Sequence, residues 1–261
     1  MSSIIIIKIG GAVVDDEPKL GSFLKALAAV PGKKILVHGG GKLATRMAEQ
    51  AGIPQQMVEG RRITDAETLK IVTMVYAGYI NKNIVAQLQA SGCNAIGIAG
   101  ADGNAILAHK RKKGTVDYGF AGDVDEVNVS FIYAMLEQCD ALVVAPITHD
   151  GKGQLLNTNA DTIAQSLATG LSPHFEVSLV YTFEKSGVLR DAEDDRSVIR
   201  RIDRAVYAGL KEHNLVFAGM IPKLDNAFAA LDSGVKRVII GKAEDLLQLI
   251  SGKGGTTIAH G

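Results

Sequence analysis

Ile4-Ile5-Ile6-Ile7-Lys8-Ile9 places five isoleucines in six consecutive positions, and Gly10-Gly11 follows at once. Side chains alternate between the two faces of a strand, so a β-branched run that never alternates with polar residues is buried on both faces, the pattern of a parallel sheet covered by helices. Lys8 is the exception. Its ammonium either marks an edge or surface position or reaches the end of the sheet to meet an anion there.

The residues that follow repeat one unit. A helical stretch over 20–30 leads to a second β-branched strand at 34–37, another glycine run at His38-Gly39-Gly40-Gly41, and a helix. Strand, glycine loop, helix, twice over, predicts right-handed βαβ units and a parallel sheet sandwiched by helices. Further along, 57–64 reads as a small hairpin over whatever the glycine loops bind, and 66–90 as helix. A small strand is expected at 95–99, and an antiparallel excursion at a sheet edge over 103–128. Helix is expected over 130–138 and 157–170, and strand over 141–147. After Ser172-Pro173-His174 the pattern restarts, with strands at 177–182 and 238–240 and helices at 203–212 and 224–233. That turn divides the chain into an expected substrate-binding and dimerisation lobe, 1–172, and a nucleotide-binding lobe, 173–261.

Composition narrows the partners. Lys plus Arg and Asp plus Glu both number 28, so no basic field points to nucleic acid. The run His109-Lys110-Arg111-Lys112-Lys113 has no interleaved aromatics and reads as a solvated turn. No apolar run approaches the length of a membrane span and no signal-peptide pattern precedes Ile4, so a soluble cytoplasmic protein is expected, with small-molecule partners. Cys93 and Cys139 lack a metal-type spacing and read as core thiols.

The chemistry concentrates in a few places. A glycine loop at the C-terminal end of a parallel strand lets backbone N–H groups approach an anion with no Cβ in the way, although Gly-Gly after a strand is also a common tight turn. Neither loop matches G-x-x-x-x-G-K-[ST] or G-x-G-x-x-G, so a phosphate site here belongs to neither the P-loop nor the dinucleotide type. Arg62 is either a bidentate fork for a carboxylate or a solvated turn residue. In Asn157-Thr158-Asn159-Ala160-Asp161, an Asn or Thr caps a helix or the amides bind a ligand. Asp161, near a positive helix terminus, stays ionised and suits an organiser of cations. Lys223, in Gly219-Met220-Ile221-Pro222-Lys223, lies about 215 residues beyond Lys8, and the two lysines would flank a phosphoryl group if folding joined them.

These five segments, Lys8 to Gly11, His38 to Gly41, Arg62-Ile63-Thr64, Asn157 to Asp161 and Gly219 to Lys223, occur in the order and spacing of the amino-acid kinase family, which the chain resembles over nearly its whole length. The resemblance implies an α/β fold, a three-layer αβα sandwich around a central, mainly parallel open sheet. It implies ATP-dependent phosphorylation of the γ-carboxylate of N-acetyl-L-glutamate, a step of arginine biosynthesis, in a homodimer. Lys8 and Lys223 would stabilise the transition state and Asp161 would organise them. Gly40 and Gly41 would hold the reacting oxygens, Arg62 the α-carboxylate, and Asn157 and Asn159 the acylamino end. Gly10, Gly11, Thr182, Glu184, Gly187, Phe217, Gly219 and Met220 would contact ATP. Mg²⁺ would be held mainly by ATP phosphates and water, with no dedicated protein cage.

Two segments depart from the family pattern. Thr182-Phe183-Glu184-Lys185-Ser186-Gly187-Val188 replaces a Ser/Thr-Asp-Val-x-Gly-Val stretch, which raises the alternative of a protein that binds acylglutamate and ATP as a sensor. Arg61 stands where an apolar residue commonly precedes the substrate arginine, which makes N-succinyl-L-glutamate an alternative acid.

Overall fold

A computed structural model describes residues 2–58, 60–191, 193–213 and 220–260. From the N-terminus, β1 (Ser3–Ile9) passes through Gly10 into a one-turn helix, α1 (Gly11–Val14), then α2 (Glu17–Ala28), β2 (Lys34–His38) and α3 (Gly41–Gln50). The hairpin β3 (Met57–Val58) and β4 (Arg61–Arg62) precedes α4 (Ala66–Thr73), a π-helical stretch at Met74–Ile80, and α5 (Asn81–Ala90). Next come β5 (Ala95–Ile98), β6 (Ile106–Lys110), β7 (Ala121–Val127), α6 (Val129–Gln138) and β8 (Ala141–Val144). Two short strands, β9 (Ile147–His149) and β10 (Leu155–Thr158), lead to α7 (Ala160–Leu171) and the long β11 (Glu176–Phe183). The chain continues through β12 (Arg201–Ile202), α8 (Arg204–Glu212), α9 (Ile221–Asp232), β13 (Arg237–Lys242), α10 (Leu246–Ile250) and β14 (Thr256–Ile258).

Eight strands form one sheet in the order β12-β14-β13-β11-β1-β2-β8-β5. The six from β13 to β5 are parallel, and β14 runs against β13. The isoleucine strand is central, as its two-faced burial requires. Ile4 and Ile6 pack into one core with α7 and α9, whereas Ile7 and Ile9 pack into another with α2, α4 and α5. Two cores on opposite faces of one sheet give the three-layer αβα sandwich. Lys8 shares the face of Ile4 and Ile6, over which α7 lies.

Strand order reverses at β1, which has β2 on one side and β11 on the other. Ligands of open parallel sheets bind at such a switch point, beyond the carboxyl ends of the strands. The register brings Lys8 level with Val37 and Tyr181, so both glycine loops and the Thr182-Phe183 end of β11 emerge together.

Several expectations need correction. The strand expected over 141–147 stops at Val144, because Pro146 has no N–H to continue the ladder, and Ile147 opens a new strand. The helix expected from Asn157 begins at Ala160. Asn157 and Thr158 belong to β10, paired with Ala121, Gly122 and Ile147, so tertiary pairing overrides the local helix signal. The 103–128 excursion is antiparallel, but β6 and β7 close with β9 and β10 into a four-stranded barrel instead of extending a sheet edge. The helix expected over 66–90 is continuous but widens into the π turn. Cys93 and Cys139 are free and buried.

Candidate active site

Asn159 caps α7, its Oδ1 accepting from the N–H groups of Asp161 (2.8 Å) and Thr162 (3.2 Å). The cap fixes the first turn so that Asp161 meets the side chain coming up from β1, with Lys8 Nζ 2.9 Å from Asp161 Oδ1. Tyr181, beside Lys8 in the sheet, donates its hydroxyl to the Asp161 carbonyl at 3.4 Å. Burial, with the Asp161 charge adding, pushes that phenol far above its ordinary range and keeps it a neutral donor. Lys223, in the first turn of α9, lies 3.8 Å from the centre of the Phe183 ring, and Lys8 lies 5.7 Å from the same centre. Folding therefore brings the two distant lysines to one aromatic ring. Burial lowers the pKa of Lys223; Asp161 opposes that shift and Lys8 reinforces it.

The glycine loops also converge. Gly40 has φ +145°, and a Cβ there would fall 2.1 Å from Ile80 Cδ1, so only glycine fits. Gly40 ends at the start of α3, whose first N–H groups lack intrahelical partners, and a Cβ on Gly39 would lie 3.7 Å from the Gly11 nitrogen. Beneath the loop, fully buried His38 bonds through Nδ1 to the Gly39 carbonyl at 2.8 Å. Its Nε2 faces Asn81 Nδ2 at 3.4 Å. Burial drives the His38 pKa down to about 4, so a neutral imidazole pins the loop.

One cavity opens in front of this loop, lined by Lys8, Gly11, Gly40, Gly41, Arg62, Asn157, Asn159 and Asp161 among others. Arg62 is buried and held by the Gly41 carbonyl and Thr45 Oγ1, each at 2.9 Å, and by Gln55 Oε1. Asn157 donates to Thr64 Oγ1 at 3.0 Å. A second cavity is lined by Gly10, Gly11, Thr182, Glu184, Gly187, Met220 and Lys223. Gly11 lines both. Every site residue expected from sequence lines one cavity or the other, except Phe217 and Gly219, which lie outside the described residues. Among the described residues there is no cluster of three or more His, Cys, Asp or Glu suited to a metal ion. Among them, too, no helix is long and apolar enough to cross a membrane.

Two cavities meeting at a pair of lysines and paired glycine loops are what transfer of an anionic group between two bound molecules requires. The family model described as the amino acid kinase family matches residues 3–242. The chain belongs to the amino acid kinase family. It is 54% identical over 254 residues to acetylglutamate kinase of Parabacteroides distasonis, covering 97% of this chain and 98% of that one. It is 56% identical over 252 residues to acetylglutamate kinase of Cytophaga hutchinsonii, covering 96% of each. Among solved structures, N-acetylglutamate synthase from Neisseria gonorrhoeae superposes with a TM-score of 0.82 at 23% identity, over 99% of this chain and 60% of that one, a likeness of fold.

Sequence reading missed four residues that line or brace these cavities. Phe183 has both lysine ammonium groups near its ring; its signal was the departure of the Thr182 to Val188 stretch from the family pattern. Asp15 accepts from the Leu43 N–H at 3.1 Å and ties the end of α1 to the first turn of α3. Burial raises its pKa above the usual carboxylate range. Tyr76 lines the first cavity from the π turn, where no sequence signal marks it. Arg111 also lines that cavity, so the basic run is not wholly a solvated turn. Its guanidinium is paired with Asp123 and lies 5.6 Å from the Tyr118 ring centre.

Proposed function

We propose that the chain is an acetylglutamate kinase, transferring the γ-phosphoryl group of ATP to the γ-carboxylate of N-acetyl-L-glutamate in arginine biosynthesis. The observation that carries the reading is the Lys8, Asp161 and Lys223 cluster around Phe183, at the junction of two cavities. The acid occupies the cavity of Arg62 and Asn157, in the part of the chain formed by 1–172. The nucleotide, as its Mg²⁺ complex, occupies the cavity of Thr182, Gly187 and Met220, mainly from 173–261, with Gly10 and Gly11 reaching across.

A γ-carboxylate oxygen attacks the terminal phosphorus of ATP in line, the bond from that phosphorus to the β,γ-bridging oxygen breaks, and the products are an acyl phosphate and ADP. The nucleophile is already ionised at neutral pH, so no general base is needed. Gly41 and Gly11 N–H groups and the Lys8 ammonium neutralise charge on the migrating phosphoryl oxygens, and Lys223 neutralises the leaving side. Asp161 holds Lys8 and offsets the repulsion between the two ammonium groups. Arg62 binds the α-carboxylate, fixed in place by its bonds to Gly41, Thr45 and Gln55. Asn157 and Asn159 hold the acylamino group. Mg²⁺ travels with the phosphates. The enzyme works in the cytoplasm as a homodimer, a state that light scattering checks directly.

ADP release with N-acetyl-L-glutamate and MgATP, together with trapping of the acyl phosphate by hydroxylamine, tests the reaction. ADP release no faster than in the acid-free control overturns it. Calorimetric binding of both ligands without turnover would assign a sensing role instead.

A further inference from the structure

We propose that the acid cavity carries a further anion subsite, formed by Arg61 and Arg111, that takes a carboxylate at the end of the acyl group. N-succinyl-L-glutamate is then preferred over N-acetyl-L-glutamate. The inference rests on the acylglutamate-kinase reading above and concerns which acyl group that site accepts.

Lys8, Arg61, Arg62 and Arg111 line the cavity against a single lining carboxylate among the described residues, that of Asp161. Lys8 is matched by Asp161, and Arg62 by the α-carboxylate of the acid. Arg61 and Arg111 remain without an assigned anion in the substrate. An acetyl group ends in a methyl and asks for an apolar wall, whereas two guanidinium groups ask for a carboxylate.

Arg111 is built into this position. Its backbone N–H donates to the Ala121 carbonyl at 2.8 Å, and Ala121 pairs directly with Asn157. Arg111 therefore stands on the far side of Ala121 from Asn157, the residue assigned to the acylamino group, and on the same face of the barrel strands. A methylene and a carboxylate beyond the acetyl length carry the acyl chain toward the Arg111 guanidinium. The Asp123 carboxylate accepts from Nε and Nη2 of Arg111, which leaves Nη1 without a partner among the described residues. Together with the Tyr118 ring, Asp123 fixes the guanidinium while offsetting part of its charge. Arg61 is exposed, its side chain makes no hydrogen bond or ion pair among the described residues, and its charge adds to that of Arg111, the main cause, in holding the Asp123 pKa low. Arg61 thus restores the positive charge that Asp123 offsets.

Steady-state kcat/KM for N-succinyl-, N-acetyl- and N-butanoyl-L-glutamate, with saturating MgATP, tests the subsite. Calorimetric Kd values for the three acids accompany the rates. The butanoyl acid has the longer chain without the charge. The expected result is a preference for the succinyl acid of about tenfold, the size of one partly exposed charge-assisted hydrogen bond, with no gain for butanoyl. Arg61→Leu should erase most of that preference, and raising the salt concentration should shrink it. Equal or better use of the acetyl acid overturns the subsite, as does a succinyl preference that survives both Arg61→Leu and high salt. If no acid releases ADP, the kinase reading fails, while the Kd ratio still decides the subsite.

Discussion

Lys8 Nζ lies 2.9 Å from Asp161 Oδ1, with the lysine side chain 12% exposed and the aspartate 39% exposed. The ammonium is thus mostly withdrawn from water, and its counter-charge is the only carboxylate lining its cavity among the described residues. Removing one member of such a pair leaves the other uncompensated. Asp161→Asn keeps the shape of α7 but leaves the repulsion between Lys8 and Lys223 without its offsetting charge. We expect kcat to fall by about 10² to 10³ with little change in KM, the loss typical of one preorganised electrostatic partner. Lys8→Ala should cost at least as much. Initial rates of ADP release measure both, and full activity in either variant would remove the pair from the mechanism.

Phe183→Leu keeps apolar bulk but deletes the ring that carries Lys223. A cation over an aromatic face is worth about 0.5–2 kcal/mol. The expected effect is a three- to tenfold fall in kcat, recovered in Phe183→Tyr. An undiminished kcat in the leucine variant would make the ring mere packing.

Gly40→Ala meets two obstacles, a backbone φ of +145° and Ile80 Cδ1 at 2.1 Å from the new methyl. Each costs about 1–3 kcal/mol. Adding Ile80→Ala should relieve the collision but not the backbone strain, so the double variant should recover part of the lost stability and little activity. Denaturant titration separates the two contributions.

His38 has a pKa near 4 in the folded protein against an ordinary 6.5. The unfolded chain therefore binds the extra proton between those values, and stability falls as pH drops through that window. The contribution is fully present above pH 6.5, fades by about 1.4 kcal/mol per pH unit, and is lost below about pH 4. Urea titrations at several pH values should show that slope, and His38→Gln should flatten it. An unchanged slope would place the acid sensitivity elsewhere.

Asn159 carries a structural duty besides the one assigned toward the acid. Losing the cap in Asn159→Ala should cost about 1 kcal/mol, a few degrees in melting temperature. Asn159→Ser keeps a capping oxygen and should recover the melting temperature. If KM for the acid stays raised in Asn159→Ser, the amide contacts substrate as well.

Much of this was legible in the chain. Ile4 to Ile9 announced a central strand because burial on both faces leaves no polar alternation. The glycine loops announced an anion site because they follow such strands. What local sequence concealed was the work of pairing at a distance. Asn157 and Thr158 look like the start of a helix, yet Ala121 and Gly122 draw them into a strand, which moves the cap to Asn159. Arg111 reads as one charge in a solvated run until the closed barrel sets it beside Ala121. The π turn that presents Tyr76 and Ile80 to Gly40 has no compositional mark, since its residues suit an ordinary helix.

β1 acquires its β11 neighbour only after roughly 170 further residues have been made, a separation set by the register Ser3 to Glu176. At ordinary translation rates that interval lasts about ten to thirty seconds. Throughout it, one edge of an isoleucine-rich strand stays open to any other chain being made nearby. Lys8 is the single charge in that run. A charge set in such a run opposes β-aggregation on physical grounds, so the position of Lys8 has a consequence for the nascent chain as well as for the folded one.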